Sequence, residues 1–243
     1  MKGYSFLTLF IIILFSLTMT YAAAPLPIPV AQVVWIKGES LKAIMMINKE
    51  ERLLKKASII YLHDLLITDN NTIAEIVFTD NTLITFQANS KFLIDDYHFS
   101  PKEKNHSVGK SVMNLIEGGF RTITGLIAKT NPIDYKIQTP VATIGVRGTD
   151  YAIYIQNGHL YAAHYAGTPC VTSNKTTLCL DQKTKYAEVT SANESPIALT
   201  LQPEGFKTQL EITNATIGLF SSGQNGGLSN ANKGGPITNF CIQ

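Results

Sequence analysis

Arg147 is the side chain whose setting most invites chemistry. It stands in Gly145-Val146-Arg147-Gly148, within the longer stretch Thr139–Asp150. A guanidinium on a glycine-flanked turn can offer two parallel hydrogen bonds to a carboxylate on a partner or ligand. The competing expectation is that Arg147 folds back onto Asp150 or Glu117 while Gly145 and Gly148 permit tight backbone packing. The surrounding Pro140, Ala142, Val141 and Ile144 are core and turn residues, so the sequence favours this second arrangement. Tyr151, Tyr154, Tyr161 and Tyr165 cluster on either side of Asn157-Gly158. A shared tyrosine face would stack on sugars or fill a partner's pocket. Their mixed parity sends some of them into the core.

Other reactive side chains are poorly placed for catalysis. None of His63, His98, His106, His159 and His164 has a second histidine at the spacing of a metal motif. His159 and His164 fall on opposite sides of one strand, as do Asp95 and Asp96. There is no Gly-x-Ser-x-Gly elbow, phosphate loop or His-Glu-x-x-His. The expectation is a non-enzymatic protein without metal or cofactor. Cys170 and Cys179 flank the polar centre Thr172–Thr177 and should lie opposite each other on a hairpin as a disulfide. Cys241 is left over: it either joins two chains or stays a free thiol.

The formal net charge is +2 and only 16% of residues are charged, against about 25% in typical domains. The densest basic cluster, Arg52, Lys55 and Lys56, has Glu50 and Glu51 beside it. No field of one sign is available to hold nucleic acid. At the N-terminus, Lys2 precedes an apolar run from Phe6 to Met19, followed by Thr20, Ala22, Ala23 and Ala24. This is the layout of a secretory signal, with cleavage expected after Ala22. The alternative is a retained anchor, which the shortness of the run disfavours. Export would leave the protein periplasmic or extracellular.

From Ala31 onward the texture is β. Short apolar and β-branched runs alternate with turn signals, and no helix-length pattern is sustained. Expected strands are Ala31–Ile36, Leu41–Ile47, Arg52–Leu54, Ser58–Ile60, Leu65–Thr68, Ile73–Phe78, Leu83–Gln87 and Lys91–Asp95. Ser111–Ile116, Phe120–Thr124, Asp134–Gln138, Val141–Ile144, Thr149–Gln156, Leu160–Ala166, Thr184–Val189 and Ile197–Leu201 follow. Glu117-Gly118-Gly119 reads as a turn, Asn157-Gly158 as a two-residue hairpin loop, and Ser100–Gly109 as an exposed polar excursion. On Ile73–Phe78, the face of Ala74, Ile76 and Phe78 points to the core. The fold class is an all-β single domain of many short strands, arranged as a roll, sandwich or short solenoid. The organisation expected is a signal peptide at 1–22, a Pro-rich leader at 23–30, the β domain at 31–203, and an extension at 204–243 ending in a flexible Gly/Asn-rich tail.

Several segments, in order, resemble the ferric-citrate-regulator (FecR) family of bacterial envelope domains. Ile67-Thr68-Asp69 leading to Ala74 is similar to the family's Ile-x-Thr-x-x-x-x-Ala. Val77–Leu83 resembles Leu-x-Phe-x-Asp-Gly-Ser, with Asn81 in place of glycine. Leu115–Arg121 and Thr124-Gly125 resemble Leu-x-x-Gly-x-x-Arg-x-x-x-Gly. Thr139–Asp150 is close to the complete signature, with Pro140, Ala142, Gly145, Gly148 and Thr149 as its structural positions. The likeness runs from about Val33 to about Leu201. It implies a β-rich extracytoplasmic domain that binds another envelope protein or senses an envelope signal. The regulators that name the family carry a cytoplasmic sigma-factor-binding segment before a membrane span. Here a signal sequence stands almost directly before the domain, which disfavours an anti-sigma role. The other readings are a carbohydrate- or peptidoglycan-binding module and a cell-surface structural protein. Arg147, Asp150, Tyr151, Tyr154 and Tyr161 are the candidate contact residues. Membrane contact is expected only in passing, through the signal.

Overall fold

The computed structural model describes residues 26–101 and 108–206. Seventeen strands form one hydrogen-bonded network. They are β1 (Pro29–Lys37), β2 (Leu41–Met45), β3 (Glu51–Leu54), β4 (Ile59–Tyr61), β5 (Asp64–Thr68), β6 (Ile73–Phe78), β7 (Leu83–Phe86), β8 (Lys91–Ser100) and β9 (Val108–Ile123). After α1 (Leu126–Thr130) and a 3-10 turn (Pro132–Asp134) come β10 (Tyr135–Gln138), β11 (Thr143–Gly145), β12 (Asp150–Gln156) and β13 (His159–Ala166). The last are β14 (Cys170–Ser173), β15 (Thr176–Cys179), β16 (Tyr186–Val189) and β17 (Ile197–Leu199).

The long strand β9 belongs to two layers. Its first part pairs with β8 and β10, and its last part with β7 and β12. One layer runs β4-β1-β6-β7-β9-β12-β13-β16-β17. The other runs β3-β2-β5-β8-β9-β10-β11-β14-β15. Every pairing is antiparallel except β9 with β10, which α1 and the 3-10 turn connect. The layers face each other over one apolar core. Phe86 of the first layer and Phe92 of the second meet at 5.0 Å between ring centres, Phe92 and Phe120 at 5.4 Å, and Phe78 and Tyr97 at 5.1 Å. Such rings carry a large share of a core's burial and add directional preference.

Two expectations are corrected. Glu117-Gly118-Gly119 is not a reversal, because β9 continues through it and changes layer there. Gly118 has φ +76, and a Cβ on it would lie 2.5 Å from the Asn89 carbonyl. Gly119 presses on Tyr154, while the Ser90 hydroxyl receives the Gly119 N–H and donates to its carbonyl. The segment Val141–Ile144 does not start a strand at Val141. Thr139–Ala142 closes a tight turn in which Thr139 N–H donates to the Ala142 carbonyl, and β11 begins at Thr143. Proline at the second position of such a turn supplies the required φ.

The remaining differences are small. Lys91–Asp95 extends to Ser100, where β8 pairs with Val108, so the polar excursion is the tip of a long hairpin; residues 102–107 lie outside the described chain. Leu126–Thr130 is helical, which no periodic pattern announced. Asn157 (φ 53) and Gly158 (φ 79) form the expected hairpin loop. Asn81, with φ 67, takes the left-handed conformation of the glycine it replaces. Ala74, Ile76 and Phe78 point inward. The N-terminal apolar run read as a signal, Cys241 and the glycine-rich tail lie outside the described residues.

Candidate contact site at the Gly145–Gly148 turn

The turn from β11 to β12 carries the chain from the second layer to the first. Both ends are anchored. Val146 is buried in the core, as is Thr149. Thr149 N–H donates to the Thr124 hydroxyl at 2.7 Å, and Thr124 N–H donates to the Thr149 carbonyl at 2.9 Å. Arg147 therefore projects from between two fixed points and is exposed.

Arg147 does not fold back onto Asp150 or Glu117. Both carboxylates are engaged elsewhere: Asp150 by Arg121, through two bonds of 2.8 Å, and Glu117 by Lys91 at 2.7 Å. Among the described residues Arg147 makes no ion pair. The two glycines also differ. Gly148 has φ +59, a conformation that favours glycine, and a Cβ on it would touch the Lys129 stem at 3.5 Å. A Cβ on Gly145 would meet nothing within 4 Å. No packing inside the domain explains the glycine at 145: its backbone is paired with Lys136 and Cys170, and the face where a Cβ would stand is open. Lys129, exposed on α1, brings a second cation to the turn.

The turn rests on two polar clusters. In the first, the Arg121 guanidinium clasps Asp150 and lies 4.2 Å from the centre of the Tyr165 ring. Burial raises the Tyr165 hydroxyl well above its ordinary pKa. In the second, Asp80 is fully buried at the start of α1. It accepts from the Thr82 N–H (3.0 Å), the Thr82 hydroxyl (2.9 Å), the Tyr97 hydroxyl (3.2 Å) and the Ile127 N–H (3.2 Å). Burial pushes its carboxyl up from the usual range, and these donors pull it back. Gly125 fits here because a Cβ would lie 2.2 Å from the Asp80 carbonyl oxygen. The segments Phe78–Thr82 and Thr124-Gly125, far apart in sequence, thus interlock beneath the turn.

The other candidate residues separate. Tyr151 is buried in the core against Phe120. Tyr154 lies on the outer face of the first layer, stacked on Tyr161 at 4.8 Å and covered by Phe206 at 4.6 Å. The four tyrosines do not share an open platform. Pro140 is exposed in its turn and Ala142 is buried. Arg121 and Lys129 were missed as site residues, and Tyr165 was read only as part of a tyrosine face, not as the ring beneath Arg121. Arg121 was legible only as the arginine of the Leu115–Arg121 segment. Cys170 and Cys179 are direct partners on β14 and β15 and are joined by a disulfide. No group of three or more His, Cys, Asp or Glu that could hold a metal occurs among the described residues.

The family model described as FecR protein matches residues 64–168, which include the Asp80 cluster, Arg121 and the whole Gly145–Gly148 turn. No curated protein matches the chain. A solved structure of a candidate anti-sigma factor from Parabacteroides distasonis is similar, with 12% identity and a TM-score of 0.44, over 59% of this chain. This chain spans 62% of the length of that protein. Residues 64–168 of the chain thus match the FecR family model.

Proposed function

We propose that this protein is an exported, non-catalytic FecR-type domain of the bacterial envelope that works in signalling by binding another protein through the Gly145–Gly148 turn. The FecR match supports a regulatory role. The observation that carries the contact surface is Arg147, held out by two buried anchors while the neighbouring carboxylate Asp150 is taken by Arg121, and Glu117, at the other end of the layer, by Lys91. The open face at Gly145, where no Cβ stands, lets a partner come close, and Arg147 and Lys129 suit an acidic segment on that partner. Among the described residues no carboxylate pairs with Arg147 to compete with one on a partner.

The test compares wild-type protein with Arg147→Ala and Gly145→Val. Retention of proteins from an envelope fraction is measured beside sedimentation with purified peptidoglycan. A protein held by the wild type and lost from both variants, at unchanged melting temperature, supports the reading. Retention on peptidoglycan without a protein partner overturns it.

A further inference from the structure

The start of β1 and two neighbouring turns form one apolar corner. Leu26 is 88% exposed, Ile28 57%, Met46 37% and Ile47 66%. Backbone bonds hold them together: Leu62 N–H donates to the Ile28 carbonyl at 2.8 Å, and Met46 N–H donates to the His63 carbonyl at 3.0 Å. The corner is stiffened from behind by Arg52, which pairs with buried Asp64 and lies over the Tyr61 ring at 4.8 Å. Exposing four large apolar side chains on adjoining segments costs solubility unless something covers them.

The chain itself indicates the cover. The corner begins at Leu26, and the apolar run Phe6–Met19 ends just before it. Residues 20–25 can span at most roughly 20 Å when fully extended. No Asp, Glu, Lys or Arg occurs between Lys2 and Lys37, so nothing charged holds this leader away from hydrocarbon. Where the run is retained as an anchor rather than cleaved after Ala22, this corner is the part of the domain beside the lipid. We propose that Leu26, Ile28, Met46 and Ile47 seat the domain on a lipid bilayer surface. Lys49, Glu50 and Asp95 are exposed close by, with His63 half-buried between them, so the mixed charge suits a zwitterionic surface rather than a strongly anionic one. The strand register places Pro29, Phe78, Leu83, Ile123 and Asp150 at one end of the first layer and the Asn157-Gly158 loop at the other. The Gly145–Gly148 turn is at the lipid end, so a partner engaged there is met close to the bilayer.

The full chain in phosphatidylcholine vesicles tests this, with Ile47→Trp compared with Ile116→Trp at a site away from the corner. Trp35, the one native tryptophan, sets the background in the wild type. With lipids brominated along their acyl chains, the added emission of Ile47→Trp should fall at least about two-fold, as expected for a side chain buried at the headgroup boundary. That of Ile116→Trp should not change. Equal emission from both variants in brominated and plain lipid overturns the proposal. So does an added emission from Ile47→Trp that is shielded yet unquenched in a particle of doubled mass, which would assign the corner to a second copy of the chain.

Discussion

The Arg121 guanidinium and the Asp150 carboxylate, 29 residues apart in sequence, are joined by two hydrogen bonds of 2.8 Å between β9 and β12. This pair decides the character of the neighbouring turn. It consumes the one carboxylate close enough in sequence to hold Arg147 down. It is also largely buried, with side-chain exposures of 10% and 19%. Removing one partner of such a pair strands a charge. Arg121→Ala should cost about 3 kcal/mol, read as a lowered denaturant midpoint with unchanged slope. Arg121→Lys keeps the charge but loses the fork and the stacking on Tyr165, and should fall between the two.

Two buried acids should respond oppositely to neutral replacement. Glu75 is fully buried, and of its two oxygens only Oε1 has a partner, the Thr85 hydroxyl at 3.3 Å. Burial raises its carboxyl above the ordinary range. A raised carboxylate binds more protons in the folded state than in the unfolded one. Stability is therefore penalised above the raised value and recovered as pH falls through it. Glu75→Gln should stabilise by about 1 kcal/mol at pH 7 and flatten the mildly acidic part of the stability–pH curve. Asp80 is raised for the same reason, but all four of its neighbours donate. The amide introduced by Asp80→Asn would turn its own N–H groups toward those donors, so this variant should lose about 2 kcal/mol. Unfolding curves at several pH values check both.

The glycines of the signature should sort by what surrounds them. Gly125→Ala forces a Cβ against the Asp80 backbone at 2.2 Å and should cost about 3 kcal/mol. Gly145→Ala meets nothing and should change stability by less than about 0.5 kcal/mol. Thermal unfolding of the two single variants reads this difference directly.

The Cys170–Cys179 disulfide closes a short loop, with a sequence separation of 9. Its chain-entropy contribution is about 2.5 kcal/mol. Reduction should add about 2 Da to the mass and lower the melting temperature. The effect should concentrate at β14 and β15, where hydrogen exchange locates it.

Much of this fold is written in local pattern. Asn157-Gly158, the Cys170–Cys179 hairpin and the alternation of Ile73–Phe78 rest on dihedral and period rules that short windows carry. The double membership of β9 is not local. Glycines that elsewhere reverse a chain here let one strand pass between layers, because Ser90 and Tyr154 approach from distant segments. The helix α1 is short and takes its place from Asp80, 47 residues before Ile127. The family motifs could be read one by one, but that Thr82 and Gly125 touch could not. The same limit governs Arg147. Its position was visible, but whether it folds back depended on which cation reaches Asp150, and that competitor lies on another strand. Tyr154 likewise looked available until Phe206 was seen to cover it.

The central claim is that Arg147 faces outward to meet a partner. The measurement that tests it most directly pairs two numbers for Arg147→Ala: its melting temperature, and its retention of a protein captured from an envelope fraction by the wild type. An unchanged melting temperature, within about 1 °C, with retention weakened at least about ten-fold is the predicted result for an exposed anchor at an interface. Undiminished retention, or a melting temperature that falls together with it, would contradict the account.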